Sequence, residues 1–330
     1  MIVVSGVAAL YLATRPAAQA PTAGSPSPAA TAMLDPLQIE AIRARSYAAS
    51  QFAPERSLGD RGGYALDVVS FRSDGLREFA LVATPSSPKP AAGWPTVILA
   101  HGYINPVEYR TDGSDYQYLV ATLARAGYRV IKPDYRGHGS SEGSPGGGHF
   151  SPVYAYDMLN LIATLKVDGQ TDPARIGMLG HSLGGHVALR TIVVSKDVKA
   201  TVMMAGVVGS IEDILYNWPR SPMPNDQPRP VVQGARQALI AKYGDPRQNP
   251  SFWASASAIN YVAGITGAVS IHHSQSDSTV PKLFSDHLDT ALRQAGKPVE
   301  YFVYPGDDHQ FSASSNVLAT RVLEFYAAKL

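Results

Sequence analysis

The chain has no cysteine among its 330 residues. That excludes a disulfide framework, a thiolate-bound zinc and a cysteine nucleophile. Charge of either sign is not in excess: 28 Lys and Arg stand against 27 Asp and Glu, a formal net charge of +1. With no basic stripe, nucleic acid is not an expected partner. There is no His-Glu-x-x-His spacing and no pairing of carboxylates that would hold a metal. The glycine-rich stretch Ser144–Phe150 lacks the Lys-Ser/Thr of a phosphate-binding loop. Neither a metal nor a cofactor is therefore expected. No repeat of solenoid or propeller period is present. What remains is a chain that is 45% hydrophobic and 17% charged, enough for a sizeable core.

The N-terminus differs in composition. Residues 2–13 form an apolar run, too short to span a bilayer but suited to the core of a signal peptide, with Ala18-Gln19-Ala20 as a small-residue cleavage site. Residues 14–32, rich in Ala, Pro and Ser, read as a disordered tether. The expectation is an exported or membrane-anchored protein. Residues 1–33 would serve as leader and tether, the only part in contact with a membrane, and residues 34–330 as the catalytic domain.

Within 34–330 a short helix is expected over 36–50, then a hairpin turning at Ser73-Asp74-Gly75. From there strands and helices alternate. Thr96–Ala100, Tyr128–Pro133, Arg175–Leu179, Ala200–Ala205, Ala268–His272 and Val299–Tyr304 read as strands. Tyr116–Ala126, Pro152–Lys166, Gly184–Val194, Lys282–Gly296 and Ser314–Leu330 read as helices. This alternation predicts an α/β fold: a mostly parallel central sheet with helices on both faces. Residues 207–264 interrupt it with a segment too long for a simple crossover, which reads as a lid or cap, or else a plain surface insertion.

Gly180-His181-Ser182-Leu183-Gly184 matches G-x-S-x-G between a predicted strand and a predicted helix. A serine in such a turn sits on strained backbone, and its flanking glycines relieve the crowding. Ser182 is thus the candidate nucleophile. A hydroxyl needs a base, and histidine titrates in the right range. In this arrangement the acid and then the base follow the serine. Of nine histidines, only His309 lies after Ser182 in a loop past a strand end. Asp277, also just past a strand, is the candidate acid, preferred over Asp307 and Asp308, which adjoin His309 too closely to orient its far nitrogen. The oxyanion donors would be the backbone N–H groups of Leu183 and Tyr103. His101 reads as a loop-holding histidine and Asp134–Gly143 as a mainly structural loop. Tyr216, Trp218 and Trp253 are candidates to line a substrate pocket, with packing of the cap as the alternative.

These motifs together (HGYINP, DYRGHGSSEG, GHSLGGH, SFWASASAINY, DSTVP and YPGDDHQF) resemble the catalytic domain of prolyl oligopeptidase-like α/β hydrolases over roughly residues 64–330. The resemblance implies the α/β-hydrolase fold and acyl-enzyme hydrolysis without a cofactor. Ser182, Asp277 and His309 match its triad positions, and Tyr103 and Leu183 its oxyanion donors. Two departures bear on substrate. Prolyl oligopeptidases carry a β-propeller before this domain, where this sequence has a short segment. Many members also have a second Gly after His-Gly, where Tyr103 stands here, which is similar to feruloyl-esterase-like carboxylesterases. The expected substrate is a short-chain or aryl ester, with a short peptide as the alternative.

Overall fold

The computed structural model of the protein describes residues 34–146, 148–218 and 230–330. The leader, the tether and residues 219–229 of the Pro-rich excursion lie outside the described residues.

Apolar runs without alternation become strands covered on both faces. Strands β4 (Trp94–Ala100), β5 (Arg129–Pro133), β6 (Thr171–His181), β7 (Val198–Met204), β8 (Ala268–Ser274) and β9 (Val299–Tyr304) run parallel as neighbours in one sheet. At one edge β1 (Ala53–Asp60), β2 (Tyr64–Ser73) and β3 (Leu76–Pro85) add an antiparallel meander. The nine-stranded order is β1-β2-β3-β5-β4-β6-β7-β8-β9. The β2–β3 hairpin turns where Asp74 and Gly75 both take positive φ, as Ser73-Asp74-Gly75 foretold. Strand β1 was not expected: it is exposed along most of its length and, among the described strands, pairs only with β2.

Helices cover both faces. On one, α1 (Ile39–Ala44), α3 (Val153–Leu165), α4 (Leu183–Ile192) and α8 (Lys282–Gln294) bury Ile39, Ile42, Met158, Leu161, Val187 and Phe284 in the larger core. On the other, α2 (Gln117–Arg125) and α9 (Ser315–Lys329) bury Leu119, Leu123, Leu318 and Phe325. Helix α1 is shorter than the segment from which it was expected.

The described part of the 207–264 excursion folds as α5 (Ile211–Tyr216), α6 (Pro230–Tyr243), α7 (Pro250–Ala256) and a 3-10 turn at Ala258–Gly264. A reciprocal cap starts α5: Ser210 Oγ accepts the Asp213 N–H while the Asp213 carboxylate accepts the Ser210 N–H. Trp253, Ala256, Ile259 and Val262 share the larger core with α4, so α7 and the turn are built into the domain.

The register aligns the carboxyl ends that matter. Ala100 pairs with Gly180, His181 with Met204, Met204 with His272, and Ser274 with Tyr304. The loops leaving β4, β6, β8 and β9 therefore emerge along one edge, where open parallel sheets build their sites.

Candidate active site

Ser182 sits between the end of β6 and the start of α4 with φ 55° and ψ −118°, a strained conformation for a residue with a side chain. Hydrogen bonds hold it there: its N–H donates to Met204 O at 3.0 Å and its carbonyl accepts from Val207 N–H at 3.0 Å. The glycines around it are required by contact. A Cβ on Gly184 would lie 1.9 Å from Ala100 O, one on Gly180 2.4 Å from Gly184 O, and one on Gly185 2.6 Å from Gly206 Cα. Helix α4 thus passes against the ends of β4 and β6, with its positive end at Ser182.

His309 and Asp277 come together from separate loops: His309 Nδ1 donates to Asp277 Oδ2 at 2.7 Å. The acid is further held by the Thr279 and Val280 N–H groups, at 2.8 and 2.9 Å on Oδ1. Burial alone would raise the Asp277 carboxyl, but hydrogen bonds from His273, from His309 and from the Val280 N–H outweigh it and hold the group well below the usual carboxylate range. It stays ionised, as a partner for an imidazolium must.

The rival acids have other work. Asp307 accepts the N–H groups of Asp308, Ala313 and Ser314, and Asp308 those of Gln310 and Ser312. They staple the loop that presents His309. No hydrogen bond joins Ser182 Oγ to His309 itself; such contacts commonly close only around substrate. Proximity comes instead through His181, whose ring centroid lies 4.8 Å from that of His309 and whose Nε2 donates to His309 O at 3.1 Å.

Of the expected oxyanion donors, Leu183 begins α4, where the N–H has no partner in its own helix. Tyr103 follows Gly102 in the β4 loop and is exposed. Gly102 is itself crowded: a Cβ there would lie 2.8 Å from Tyr116 Oη and 3.2 Å from Ser182 Cβ. His101 is buried beneath, between Tyr109 and Tyr135, and its Nδ1 meets Gly102 O at 2.7 Å. Burial pushes its pKa down to about 3. The Asp134–Gly143 loop is fastened from inside: Asp134 accepts from Thr111 Oγ1, Ser141 Oγ donates to it, and Arg136 pairs with Asp157.

The aromatic candidates separate. Trp218 donates its indole N–H to Thr279 O at 2.7 Å and lies beside His149 and Phe284, so it ties the excursion to the Asp277 loop. Tyr216 donates to Asp245 with Arg247 over its ring. Trp253 is buried, donates to Gly244 O and packs on Phe252, the packing alternative for that residue. A cavity of about 380 Å³ has Tyr103, Tyr116, Tyr118, His181 and Gln310 in its wall.

Sequence reasoning missed Tyr116, His181 as a bridging group, and His273, whose Nε2 lies 3.3 Å from Asp277 Oδ2. Only His181 had a signal, its place in the G-x-S-x-G turn.

Comparison with known proteins bears on the family and the fold. Residues 97–328 match the model of the alpha/beta hydrolase family. The uncharacterized peptidase YtmA of Bacillus subtilis is 24% identical over 258 residues, 78% of this chain and 91% of its own length. Among solved structures, acetyl xylan esterase from Paenibacillus sp. R4 superposes with a TM-score of 0.64 at 18% identity, over 88% of this chain and 92% of that one. Dipeptidyl peptidase 4 of Porphyromonas gingivalis gives 0.61 at 21% identity over 82% of this chain, which spans only 36% of the peptidase. The sheet order, the strained turn at Ser182 and the family match over most of the chain converge: this protein belongs to the alpha/beta hydrolase family.

Proposed function

We propose that the protein is a serine hydrolase that cleaves carboxylic esters with short acyl or aryl groups through an acyl-enzyme. The observation that carries this reading is the 2.7 Å contact between His309 Nδ1 and the ionised Asp277, on loops that emerge beside the strained Ser182 turn.

With Nδ1 protonated toward Asp277, His309 Nε2 is left as a base. It takes the Ser182 hydroxyl proton as Oγ attacks the ester carbonyl carbon. The carbonyl oxygen becomes an oxyanion, held by the N–H groups of Leu183 and Tyr103. The imidazolium, stabilised by Asp277, returns its proton to the departing alkoxide, which leaves as the alcohol and the acyl group stays on Ser182. A water molecule then attacks the acyl carbon as His309 takes its proton. The carboxylic acid leaves when that proton passes to Ser182. Residues 1–33, by composition, would carry the enzyme out of the cytoplasm or tether it to a membrane.

The ester preference is supported by leaving-group chemistry, since an alkoxide or phenolate departs with less help than an amine requires. Correspondence with acetyl xylan esterase over nearly the whole length of both chains is also consistent with it. A second reading, a peptidase acting on short peptides, is favoured by the likeness to YtmA. Comparing kcat/KM for p-nitrophenyl butyrate and for alanyl and prolyl p-nitroanilides tests the choice. The ester is expected to be turned over readily and the anilides slowly or not at all. Anilide turnover that equals or exceeds the ester would make the peptidase reading the correct one.

A further inference from the structure

We infer that Tyr116 and His181 form a positioning relay that sets the oxyanion loop and the base loop in register with the nucleophile, an inference that rests on the serine-hydrolase reading. Three contacts join four residues: Gly102 N–H to Tyr116 Oη at 2.7 Å, Tyr116 Oη to His181 Nδ1 at 2.7 Å, and His181 Nε2 to His309 O at 3.1 Å.

Each proton in this chain has one possible place. His309 O is a carbonyl and can only accept, so His181 Nε2 carries a hydrogen. Burial, and after it the neighbouring His309, push the His181 pKa down to about 4, so the ring is neutral near pH 7 and its Nδ1 accepts. Tyr116 must then donate its hydroxyl hydrogen to Nδ1, while its oxygen accepts the Gly102 N–H. The relay runs in one direction from the β4 loop to the β9 loop.

Its members come from four places in the sequence. Gly102 precedes Tyr103, the second oxyanion donor. Tyr116 stands before α2 in a left-handed conformation, φ 63°, which aims a side chain from the helix start into the site. His181 ends β6, directly before Ser182. His309 lies past β9. The packing tolerates no slack, since a Cβ on Gly102 would come within 2.8 Å of Tyr116 Oη and 3.3 Å of His181 Nδ1. None of these hydrogen bonds touches the reacting atoms. Their effect is on where Tyr103 N–H and His309 Nε2 stand relative to Ser182 Oγ. Small displacements of such groups are costly in rate.

The test compares Tyr116→Phe, His181→Leu, the double variant and His181→Gln, with kcat measured per active site titrated by a fluorophosphonate. Each single variant should lose about 10-fold in kcat with KM within about 2-fold of wild type, a loss of orientation and not of binding. The double variant should fall no further than the worse single, because either change breaks the same relay. His181→Gln should recover to within about 3-fold of wild type, since its amide can accept from Tyr116 and donate to His309 O. A merely structural role would lower the titratable fraction and leave kcat per site unchanged. Unchanged kcat per site in the singles, losses that multiply to about 100-fold in the double, or a Gln variant as poor as Leu would each overturn the relay. A wild-type enzyme that the fluorophosphonate fails to label would instead refute the serine-hydrolase reading beneath it.

Discussion

One oxygen of Asp277 faces two imidazoles: Oδ2 lies 2.7 Å from His309 Nδ1 and 3.3 Å from His273 Nε2. His273 is fully buried in β8, with its Nε2 also 3.0 Å from Val280 O and its Nδ1 2.7 Å from Ser285 Oγ. The carboxylate is thus fixed from behind by a histidine of the strand that its loop follows and by two backbone N–H groups of that loop. It presents only one direction to His309.

From this arrangement Asp277→Asn is expected to lower kcat by about four orders of magnitude, because an amide can hold the ring in the wrong tautomer and cannot stabilise the imidazolium. Asp307→Asn and Asp308→Asn should act mainly on stability, through the backbone N–H groups they cap. Steady-state kinetics and thermal unfolding on all three variants separate these effects. Asp308→Asn as the crippling change, with Asp277→Asn nearly active, would move the acid to the neighbouring loop.

A pH dependence follows from His272, buried between Ser270 Oγ and Tyr304 Oη. Burial, and after it Arg321, push its pKa down to about 3 from 6.5. Between those values the unfolded chain binds the proton and the folded chain does not. The contribution of the neutral ring is therefore fully present above about pH 6.5 and is lost as pH falls toward 3. His272→Gln, which keeps a donor and an acceptor, lacks this titration. The stability difference between wild type and variant should narrow or reverse by roughly 3 kcal/mol between pH 7.5 and pH 4. Denaturant unfolding at the two pH values measures it, and a difference independent of pH would contradict the assignment.

The central strands were legible from short apolar stretches such as Thr96–Ala100 in β4 and Ala200–Met204 in β7, which are buried along their length and leave little polar alternation to obscure them. Strand β1 (Ala53–Asp60) carried no such signal. It holds Glu55, Arg56 and Asp60 at an exposed edge, and its pairing with β2 rests on backbone hydrogen bonds that any sequence can make. Strand β6 reaches back to Thr171, beyond its apolar stretch, because Thr171 pairs with Trp94 across the sheet. Ser182, Asp277 and His309 stood out because motif and chain order confine them to loop ends. Tyr116 and His273 did not. A tyrosine before a helix and a histidine inside a strand read as ordinary packing until the fold sets one over Gly102 and the other behind Asp277.

The N-terminal boundary is testable directly. Residues 34–330 form one compact unit, and residues 1–33 have the composition of leader and tether. A chain beginning at Leu34 should be soluble, show cooperative unfolding and match the full chain in kcat/KM. Aggregation or loss of activity on truncation would mean that the first residues contribute to the domain itself.

The most direct test of the account is covalent labelling. A fluorophosphonate should react with the wild-type protein at one residue, and mass spectrometry of the digest should place the adduct on the peptide that carries Ser182. Ser182→Ala should remain folded, take no label and lose ester hydrolysis by a factor on the order of 10⁶. An adduct that persists in Ser182→Ala, or hydrolysis that survives the substitution, would contradict Ser182 as the nucleophile and the mechanism built on it.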